Sequence, residues 1–328
     1  MAGSQNRLNG RCVVIANPNA GIVSESLVGE VADRCCRLSF VVEVVWAREP
    51  GEAQRASRAA VAESDGASLT VIVSVGGDGT AWEVATGMTM AADLSASVAL
   101  LVVPAGTGNS NFRSHWGESD WPFALDMALG SPGKHLRALD LANIVEEDRL
   151  VVLGAGAGLT AQVLQDAGEV TLTGAARLQE GLLRAAVGFT PYPGRVTVDG
   201  EVVHEGRTVF ANVGGGRHRA WQYDVLPHSV LDDGLLDYCV VGAGTDPRAL
   251  PELLRTGRHV LRPDTVYGRG RQVVIERLDG AALCFEHDGE LLPAGRSRYT
   301  LDVLPGRLPV LCAPARHLKA AAVTGDAS

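Results

Sequence analysis

The sequence is short of lysine, of aromatic side chains and of long apolar runs. Only Lys134 and Lys319 are lysines among its 328 residues, aromatic residues make up 5% of the chain, and the formal net charge is −9. An acidic chain of this kind is not expected to hold nucleic acid through its phosphates, although Arg217, His218 and Arg219 form one local basic group. No apolar stretch is long enough to span a bilayer. Any membrane contact is therefore expected to be peripheral.

The six cysteines do not form a metal or disulfide pattern. None belongs to a C-x-x-C pair, and no histidine stands at zinc-ligand spacing from them. They lie within or beside apolar runs, where a reduced cysteine behaves as a small apolar residue. The first apolar run, Cys12–Ala16, is too short for the core of a signal peptide. We therefore expect a cytoplasmic protein with free thiols.

Residues 1–136 are predicted to form an α/β domain. Apolar runs alternate with segments of helical periodicity, and continuous Val/Ile/Leu runs are typical of strands covered on both faces. Strands separated by single helices imply a parallel sheet in a three-layer arrangement. The predicted strands are Cys12–Ala16, Phe40–Trp46, Leu69–Val75 and Val98–Val103, and the predicted helices are Ser24–Leu38, Glu52–Glu63, Ala81–Ala92 and Trp121–Leu129.

Residues 137–313 are predicted to form a second, mostly-β domain of the sandwich or open-barrel kind. Asp199-Gly200 between two short alternating runs is a strong hairpin signal, and six further segments have strand character. Helices are expected only at Leu159–Gln165, Leu178–Ala186 and Pro247–Val260. Residues 314–328 are rich in alanine and polar side chains, and we expect them to form a disordered tail.

Three glycine-containing loops follow strands of the first domain. They are Asn17–Gly21, Gly76–Thr80 and Pro104–Asn109. Each alone could be a turn that uses the conformational freedom of glycine. Because the carboxyl ends of parallel strands share one edge of a sheet, the three loops should converge on one ligand-binding crevice. Glycine-rich turns before helices offer backbone N–H groups to phosphates, whereas Asp78 suits a divalent cation or a base.

Two common nucleotide motifs are absent from these loops. Neither G-x-G-x-x-G nor G-x-x-x-x-G-K-[ST] occurs at any of them. Backbone amides and threonine hydroxyls must then hold most of the phosphate. The sequence therefore predicts a nucleotide site without a dinucleotide fingerprint or a P-loop lysine.

The ordered motifs resemble those of the diacylglycerol kinase catalytic domain family, which includes bacterial lipid kinases and the sphingosine and ceramide kinases. Its wider superfamily includes the NAD kinases, which share the Gly-Gly-Asp-Gly turn. The resemblance covers roughly residues 11–305. It rests on Asn17-Pro18 with Gly21, Gly76–Thr80 with Glu83-Val84, Pro104–Asn109, Gly154–Leu159, Asn212 with Gly214–Gly216, Pro227, Asp233–Asp237 and Asp288-Gly289-Glu290.

The resemblance implies an ATP- and Mg²⁺-dependent kinase whose active site lies between two domains. Asp78 would lie beside the metal-bound phosphates, and Asp288 and Glu290 would reach in from the second domain, one of them as the base. A structural magnesium ion would be held by Asp233 and the backbone at Leu235. The implied nucleotide-binding residues are Asn17, Gly76, Gly77, Gly79, Thr80, Glu83, Gly106, Thr107 and Asn109.

Two departures from the family pattern leave the acceptor open. Trp82 stands where the family usually has Asn, and Ser110 stands where it usually has Asp. A lipid such as diacylglycerol or a sphingoid base is the first expectation for the acceptor. Ser110 and the acidic surface favour instead a soluble alcohol, a sugar or a natural-product intermediate as the small-molecule acceptor. A third alternative is a non-catalytic nucleotide-binding regulatory protein, and a homodimer is compatible with the sequence.

Overall fold

A computed structural model describes residues 10–92 and 94–314. In its first part, strands alternate with helices, and this part ends with a short helix that leads into the second part. These elements are β1 (Gly10–Ala16), α1 (Glu25–Arg37), β2 (Phe40–Trp46), α2 (Glu52–Ala62), β3 (Leu69–Gly76), α3 (Asp78–Thr89), β4 (Val98–Pro104), α4 (Ser110–Trp116), α5 (Trp121–Gly130) and α6 (Pro132–His135).

The second part is rich in strands and contains two longer helices. Its elements are β5 (Leu136–Ile144), β6 (Arg149–Val151), β7 (Ala155–Gly158), α7 (Leu159–Gly168), α8 (Gly174–Gly188), β8 (Tyr192–Val198), β9 (Glu201–Gly214), β10 (His218–Arg219), β11 (Tyr223–Asp224), β12 (Leu236–Gly242), α9 (Leu250–Arg255), β13 (Thr265–Gly270), β14 (Gln272–Arg277), β15 (Phe285–His287), β16 (Glu290–Leu291) and β17 (Arg298–Leu311).

The first part is a parallel sheet between helices. β1 pairs with β2 and β3, and β3 pairs with β4, all in parallel, so the strand order is β4-β3-β1-β2. β1, β3 and β4 are buried along almost their whole length, as expected of strands covered on both faces. α1 begins where the Ser24 Oγ accepts the N–H of Leu27 at 3.2 Å, and it buries Val28, Val31 and Cys35 against the sheet. The predicted α/β fold is confirmed.

The second part is an antiparallel sheet system, which confirms the prediction of a mostly-β half. β9 is a central strand of 14 residues and pairs with β7, β8 and β12. The hairpin between β8 and β9 turns at Asp199 and Gly200, which have φ values of 49° and 88°. Positive φ at both positions is the geometry of the preferred two-residue hairpin turn. Inside this half Phe285 stacks on Tyr299 with ring centroids 4.2 Å apart.

The last strand joins the two halves. In β17, Leu301 pairs with Val273 of β14 and lies in the second core. Farther along, Leu308 pairs with Leu139 of β5 and packs in the core of the first half. The domain boundary between residues 136 and 137 stays a prediction, and the structure adds that the end of β17 belongs to the first core.

Within the described ranges, no helix has the length and apolarity needed to cross a membrane. All six cysteines are free thiols. Of the tail predicted at residues 314–328, all but Pro314 lie outside the described residues.

Candidate active site

The three predicted loops meet at the carboxyl ends of β1, β3 and β4. The side-chain amide of Asn17 donates to the Thr80 hydroxyl at 3.3 Å, which ties the loop after β1 to the first turn of α3. The N–H of Ile22 donates to the Ala105 carbonyl at 2.9 Å and so ties the same loop to the one after β4. The loops therefore form one wall, as the sequence predicts for three turns on one sheet edge.

Close backbone approach explains two of the glycines in this wall. A Cβ added to Gly106 would lie 2.3 Å from the Cα of Gly77. Gly21 has a φ of 36°, and a Cβ there would lie 2.2 Å from the Ala105 carbonyl oxygen. Neither separation is compatible with a side chain. The narrow spacing of the loops is therefore specified by glycine.

Asn109 closes the third loop on itself. Its φ is 45°, in the left-handed region that Asn tolerates better than most residues. The Asn109 Oδ1 accepts the N–H of Gly106 at 2.9 Å, and its Nδ2 donates to the Gly106 carbonyl at 2.8 Å. This residue shapes the turn that leads into α4.

A cleft of about 370 Å³ opens above the loops. Its wall includes Trp82 and, from the second half of the chain, Glu290. Gly76, the last residue of β3, and Asn109, which shapes the third loop, do not line it. The predicted nucleotide-binding residues that line the cleft are Asn17, Gly77, Gly79, Thr80, Glu83, Gly106 and Thr107.

Asp78 is held at the base of the wall by hydrogen bonds from α4. Its Oδ2 accepts the N–H of Ser110 at 3.0 Å, and its Oδ1 accepts the N–H and the side-chain amide of Asn111 at 2.9 and 3.0 Å. No cluster of three metal-ligating side chains exists in the part of the chain that the structure describes. Mg²⁺ is usually bound by one or two carboxylates together with substrate phosphates, so Asp78 fits an ion that arrives with a nucleotide.

The two carboxylates of the late motif have different surroundings. Asp288 has a φ of 49°, and its side chain is only 3% exposed. Its carboxylate accepts the N–H groups of Val152 at 3.0 Å and Leu153 at 2.6 Å. Glu290 is 54% exposed and forms an ion pair with Arg149 at 2.7 Å. Asp288 is therefore fixed by backbone, whereas Glu290 belongs to the wet rim of the cleft.

Two ionisable groups beside this motif, the buried Glu286 and the half-buried Arg219, were missed by sequence reasoning. Glu286 is 4% exposed, and its burial raises its pKa to about 7 despite the opposing effect of Arg219. Burial lowers the pKa of Arg219, while Glu286, Asp288 and Asp78 act to raise it. The only sequence signal for Arg219 was its place in a local basic group. Its position between the carboxylates of the two halves depends on long-range packing.

The two departures from the family pattern both contact the second half. The indole N–H of Trp82 donates to the Leu150 carbonyl at 2.9 Å, and the Arg149 guanidinium lies 5.2 Å from the centroid of that ring. The Ser110 Oγ accepts the N–H of Trp221 at 3.4 Å. Trp82 and Ser110 therefore connect the two halves across the cleft.

Asp233 and Leu235 lie on a separate turn and do not line the cleft. The Asp233 Oδ2 is paired with the Arg269 guanidinium at 2.6 Å, and its Oδ1 accepts the N–H of Leu235 at 3.1 Å. A cation at this carboxylate would have to displace the arginine. In this arrangement the residues do not fit the predicted structural magnesium ion, and we derive no step from one.

Comparison with known proteins agrees with this architecture. Residues 11–144 match the diacylglycerol kinase catalytic domain, and residues 154–312 match the YegS C-terminal NAD kinase beta sandwich-like domain. The fold is similar to that of a crystal structure described as a diacylglycerol kinase from Bacillus anthracis. That likeness has a TM-score of 0.68 at 18% identity and covers 93% of this chain and 97% of the other.

Two curated relatives are each named "Probable lipid kinase YegS-like". The protein from Pseudomonas putida is 32% identical over 286 residues, which are 84% of this chain and 85% of the relative. The protein from Pseudomonas fluorescens is 29% identical over 303 residues, which are 92% of this chain and 94% of the relative. The chain therefore belongs to the YegS-like lipid kinases of the diacylglycerol kinase family, and it is a kinase with an alcohol group as acceptor.

Proposed function

We propose that the enzyme transfers the γ-phosphoryl group of ATP to a hydroxyl of a lipid acceptor in the cleft between its two halves. One observation carries this proposal: the cleft has three glycine-rich loops on one wall and Glu290 of the late carboxylate motif on the other. Phosphoryl transfer requires mainly positioning and electrostatic stabilisation, and this arrangement offers both from opposite sides.

The nucleotide phosphates would be held by the loop amides and the N-terminus of α3. The first turn of this helix contains Gly79 and Thr80, both of which line the cleft. N–H groups at a helix N-terminus suit an anion. Asp78 is fixed beside them by α4. Bound Mg²⁺ would neutralise charge on the phosphates, and Asp78 is the residue that would hold it.

Asp288 is the proposed base. The acceptor hydroxyl oxygen forms a bond to the γ-phosphorus, the bond from that phosphorus to the bridging oxygen breaks, and ADP leaves. The hydroxyl proton passes to the Asp288 carboxylate, whose position is fixed by the N–H groups of Val152 and Leu153. A fixed carboxylate can meet the hydroxyl without reorganisation at the moment of transfer.

The surroundings of α8 favour a lipid over a soluble alcohol. A cavity of about 420 Å³ lies between α7, the end of α8 and the second sheet, with Phe189, Tyr192 and Leu283 in its wall. On the outer side, Leu172, Leu183 and Val187 are 49%, 52% and 67% exposed. Leu183 and Val187 are exposed apolar side chains on the amphipathic helix α8, and such side chains suit the surface of a micelle or bilayer. The cavity also has Gln162, Asp166 and Arg277 in its wall, so its lining is too polar to indicate an acyl-chain site.

The test is Mg²⁺-dependent ATP consumption with a panel of acceptors. Diacylglycerol and sphingosine in mixed micelles are compared with glycerol, sugars and nucleosides. We expect turnover with a lipid only, and we expect Asp288→Asn to lower kcat by about 100-fold or more while the Kd for ATP changes little.

Asp199→Asn is the matched control for Asp288→Asn. Asp199 also has a φ of 49°, and its carboxylate also accepts backbone N–H groups, from Arg271 and Gln272 at 2.9 Å. It lies on a hairpin away from the cleft, so its variant should keep the wild-type kcat. Turnover with a soluble alcohol alone would show that the acceptor is a soluble alcohol and not a lipid. Full activity of Asp288→Asn would refute the role of Asp288 as base.

A further inference from the structure

The cleft lacks a cation for the phosphates that it is proposed to hold. Of the described residues that line it, Glu83 and Glu290 are ionisable, and both are acidic. The two lysines of the chain, Lys134 and Lys319, are not among the lining residues. Arg149, at the rim, is already paired with Glu290. If the proposed function holds, any cationic side chain that assists Mg²⁺ at the reacting phosphoryl group must therefore lie deeper between the two halves.

Arg219 lies at that depth. Its Nη2 reaches the carbonyl of Leu153, whose own N–H donates to Asp288 of the second half. On the other side, a Cβ added at Gly108 would lie 2.8 Å from the Asp78 Oδ2 and 3.8 Å from the Cα of Ala220, the residue after Arg219. Gly154 makes room for it, because a Cβ added there would lie 1.9 Å from the Arg219 Nη2. The side chain thus occupies the space between the proposed metal-binding carboxylate and the proposed base.

One edge of the Arg219 guanidinium is incompletely paired. Nη1 donates to the carbonyls of Gly216 at 2.9 Å and His218 at 3.0 Å. Nη2 has one long hydrogen bond, to the Leu153 carbonyl at 3.5 Å, and the buried Nε has no hydrogen-bond partner among the described residues. Because Nε and Nη2 form one side of the planar group, this side is a two-donor fork that holds only one weak acceptor.

Elsewhere in this protein the same fork is filled by a carboxylate. In Arg137, Arg217 and Arg277, Nε and Nη2 donate together to an aspartate at 2.6–3.0 Å. The fork geometry matches two oxygens of a carboxylate or a phosphate. Arg219 has no such partner within ion-pair distance in the described chain, and a buried donor without an acceptor is costly.

We infer that the Nε/Nη2 edge of Arg219 binds the phosphoryl group during its transfer from ATP to the acceptor. Asp78 and Asp288 do not fill this edge, because among the described residues neither carboxylate lies within hydrogen-bond or ion-pair distance of Arg219. An incoming phosphoryl group supplies the two oxygens that the fork lacks. In a site shielded from water, such a contact stabilises the charge that builds up during transfer. This inference rests on the proposed function and adds a residue to it.

The experiment compares Arg219→Lys with the wild type and with Arg217→Lys. Lysine keeps the positive charge but removes the fork. We expect Arg219→Lys to slow single-turnover phosphoryl transfer by about 100-fold or more, while the Kd for Mg·ADP changes less than about threefold. Isothermal calorimetry with the Mg·ADP enzyme should show that the variant has lost binding of inorganic phosphate.

Arg217→Lys is the matched control. Arg217 belongs to the same segment, but its fork is filled by Asp224 at 2.6 and 2.7 Å. Its variant should be less stable, yet it should transfer and bind phosphate like the wild type once folded. Equal losses in both variants would show that the segment matters only for folding, and would overturn the inference.

The inference would also be overturned if Arg219→Lys transferred the phosphoryl group and bound phosphate as well as the wild type does. It would equally be overturned if the wild type bound no phosphate. A wild type without acceptor-dependent transfer would refute the proposed function. The phosphate titration would then still decide whether Arg219 binds a phosphoryl group.

Discussion

A single carboxyl group, that of Glu286, should make the stability of the protein depend on pH in an unusual direction. Burial raises its pKa from 4.5 to about 7. Between these values the folded protein holds a proton that the unfolded chain has released. Stability therefore falls as pH rises through this window and stays reduced above it. Carboxyl groups whose charged form is ion-paired or accepts hydrogen bonds show the opposite trend, because these contacts lower the pKa.

The substitution Glu286→Gln should remove this penalty. We expect the free energy of unfolding to increase at pH 8 by up to about 3 kcal/mol relative to the wild type, and the gain to shrink as the pH falls and to vanish below the unfolded-chain pKa of 4.5. Urea unfolding of both proteins at several pH values measures this difference in the free energy of unfolding. Glu290→Gln, at a 54% exposed position in the same motif, should show no such trend. A gain for Glu286→Gln that is constant from pH 5 to pH 8 would contradict the assigned cause.

At the scale of elements, helix α4 depends on a carboxylate from helix α3. α4 has only seven residues and no side-chain cap from Asn109, the residue before it. Asp78 accepts the first N–H groups of α4 instead. A neutral amide at this position has only one acceptor oxygen, so it leaves a donor of α4 unpaired. The position of α4 is therefore tied to the Gly76–Thr80 motif.

We expect Asp78→Asn to lose about 1–2 kcal/mol of stability as well as turnover. Thermal unfolding and steady-state kinetics on the same samples separate the two effects. Asp120→Asn is the control, because Asp120 caps α5 by accepting the N–H of Phe123 at 2.9 Å and lies outside the cleft. It should lose a similar stability and keep its activity. Full turnover of folded Asp78→Asn would remove Asp78 from the site.

Elements with strong local signals could be predicted from the sequence. β2 begins and ends at the predicted residues, and the hairpin turns at Asp199 and Gly200. α3 begins at Asp78 and not at Ala81, because the glycine-containing turn itself forms the first turn of the helix. β5 (Leu136–Ile144) was not predicted, since its pairing partner β17 lies far along the chain.

The candidate site could also be predicted only in part. The order of the motifs was enough to select Asp78 and Asp288, and the roles of these two residues stay predictions. Their hydrogen-bond partners, and the approach of Arg219 between them, follow from packing between residues more than 30 positions apart. The contact of Trp82 with the Leu150 carbonyl has the same origin. Local periodicity carries no information on such contacts, which is why only the structure could identify them.

At the scale of the whole molecule, β17 makes the two halves depend on each other. Leu301 is fully buried in the second core and Leu308 is fully buried in the first, although both belong to one strand. Trp82 and Ser110 add contacts across the cleft between the halves. Separation of either half would therefore leave part of β17 without its partner strands. We expect the halves to unfold together even though they resemble two family domains.

Two matched substitutions test this coupling. Leu308→Ala and Leu301→Ala each leave a cavity in a different core and should each destabilise the protein by about 2–5 kcal/mol. Calorimetry and tryptophan fluorescence should show one transition in both variants, shifted to lower temperature by similar amounts. The calorimetric and van't Hoff enthalpies should agree if the halves form one cooperative unit. Leu308→Ala could instead give two unfolding transitions, the second at the wild-type temperature. In that case the second half is stable alone, and β17 links the halves without making them cooperative.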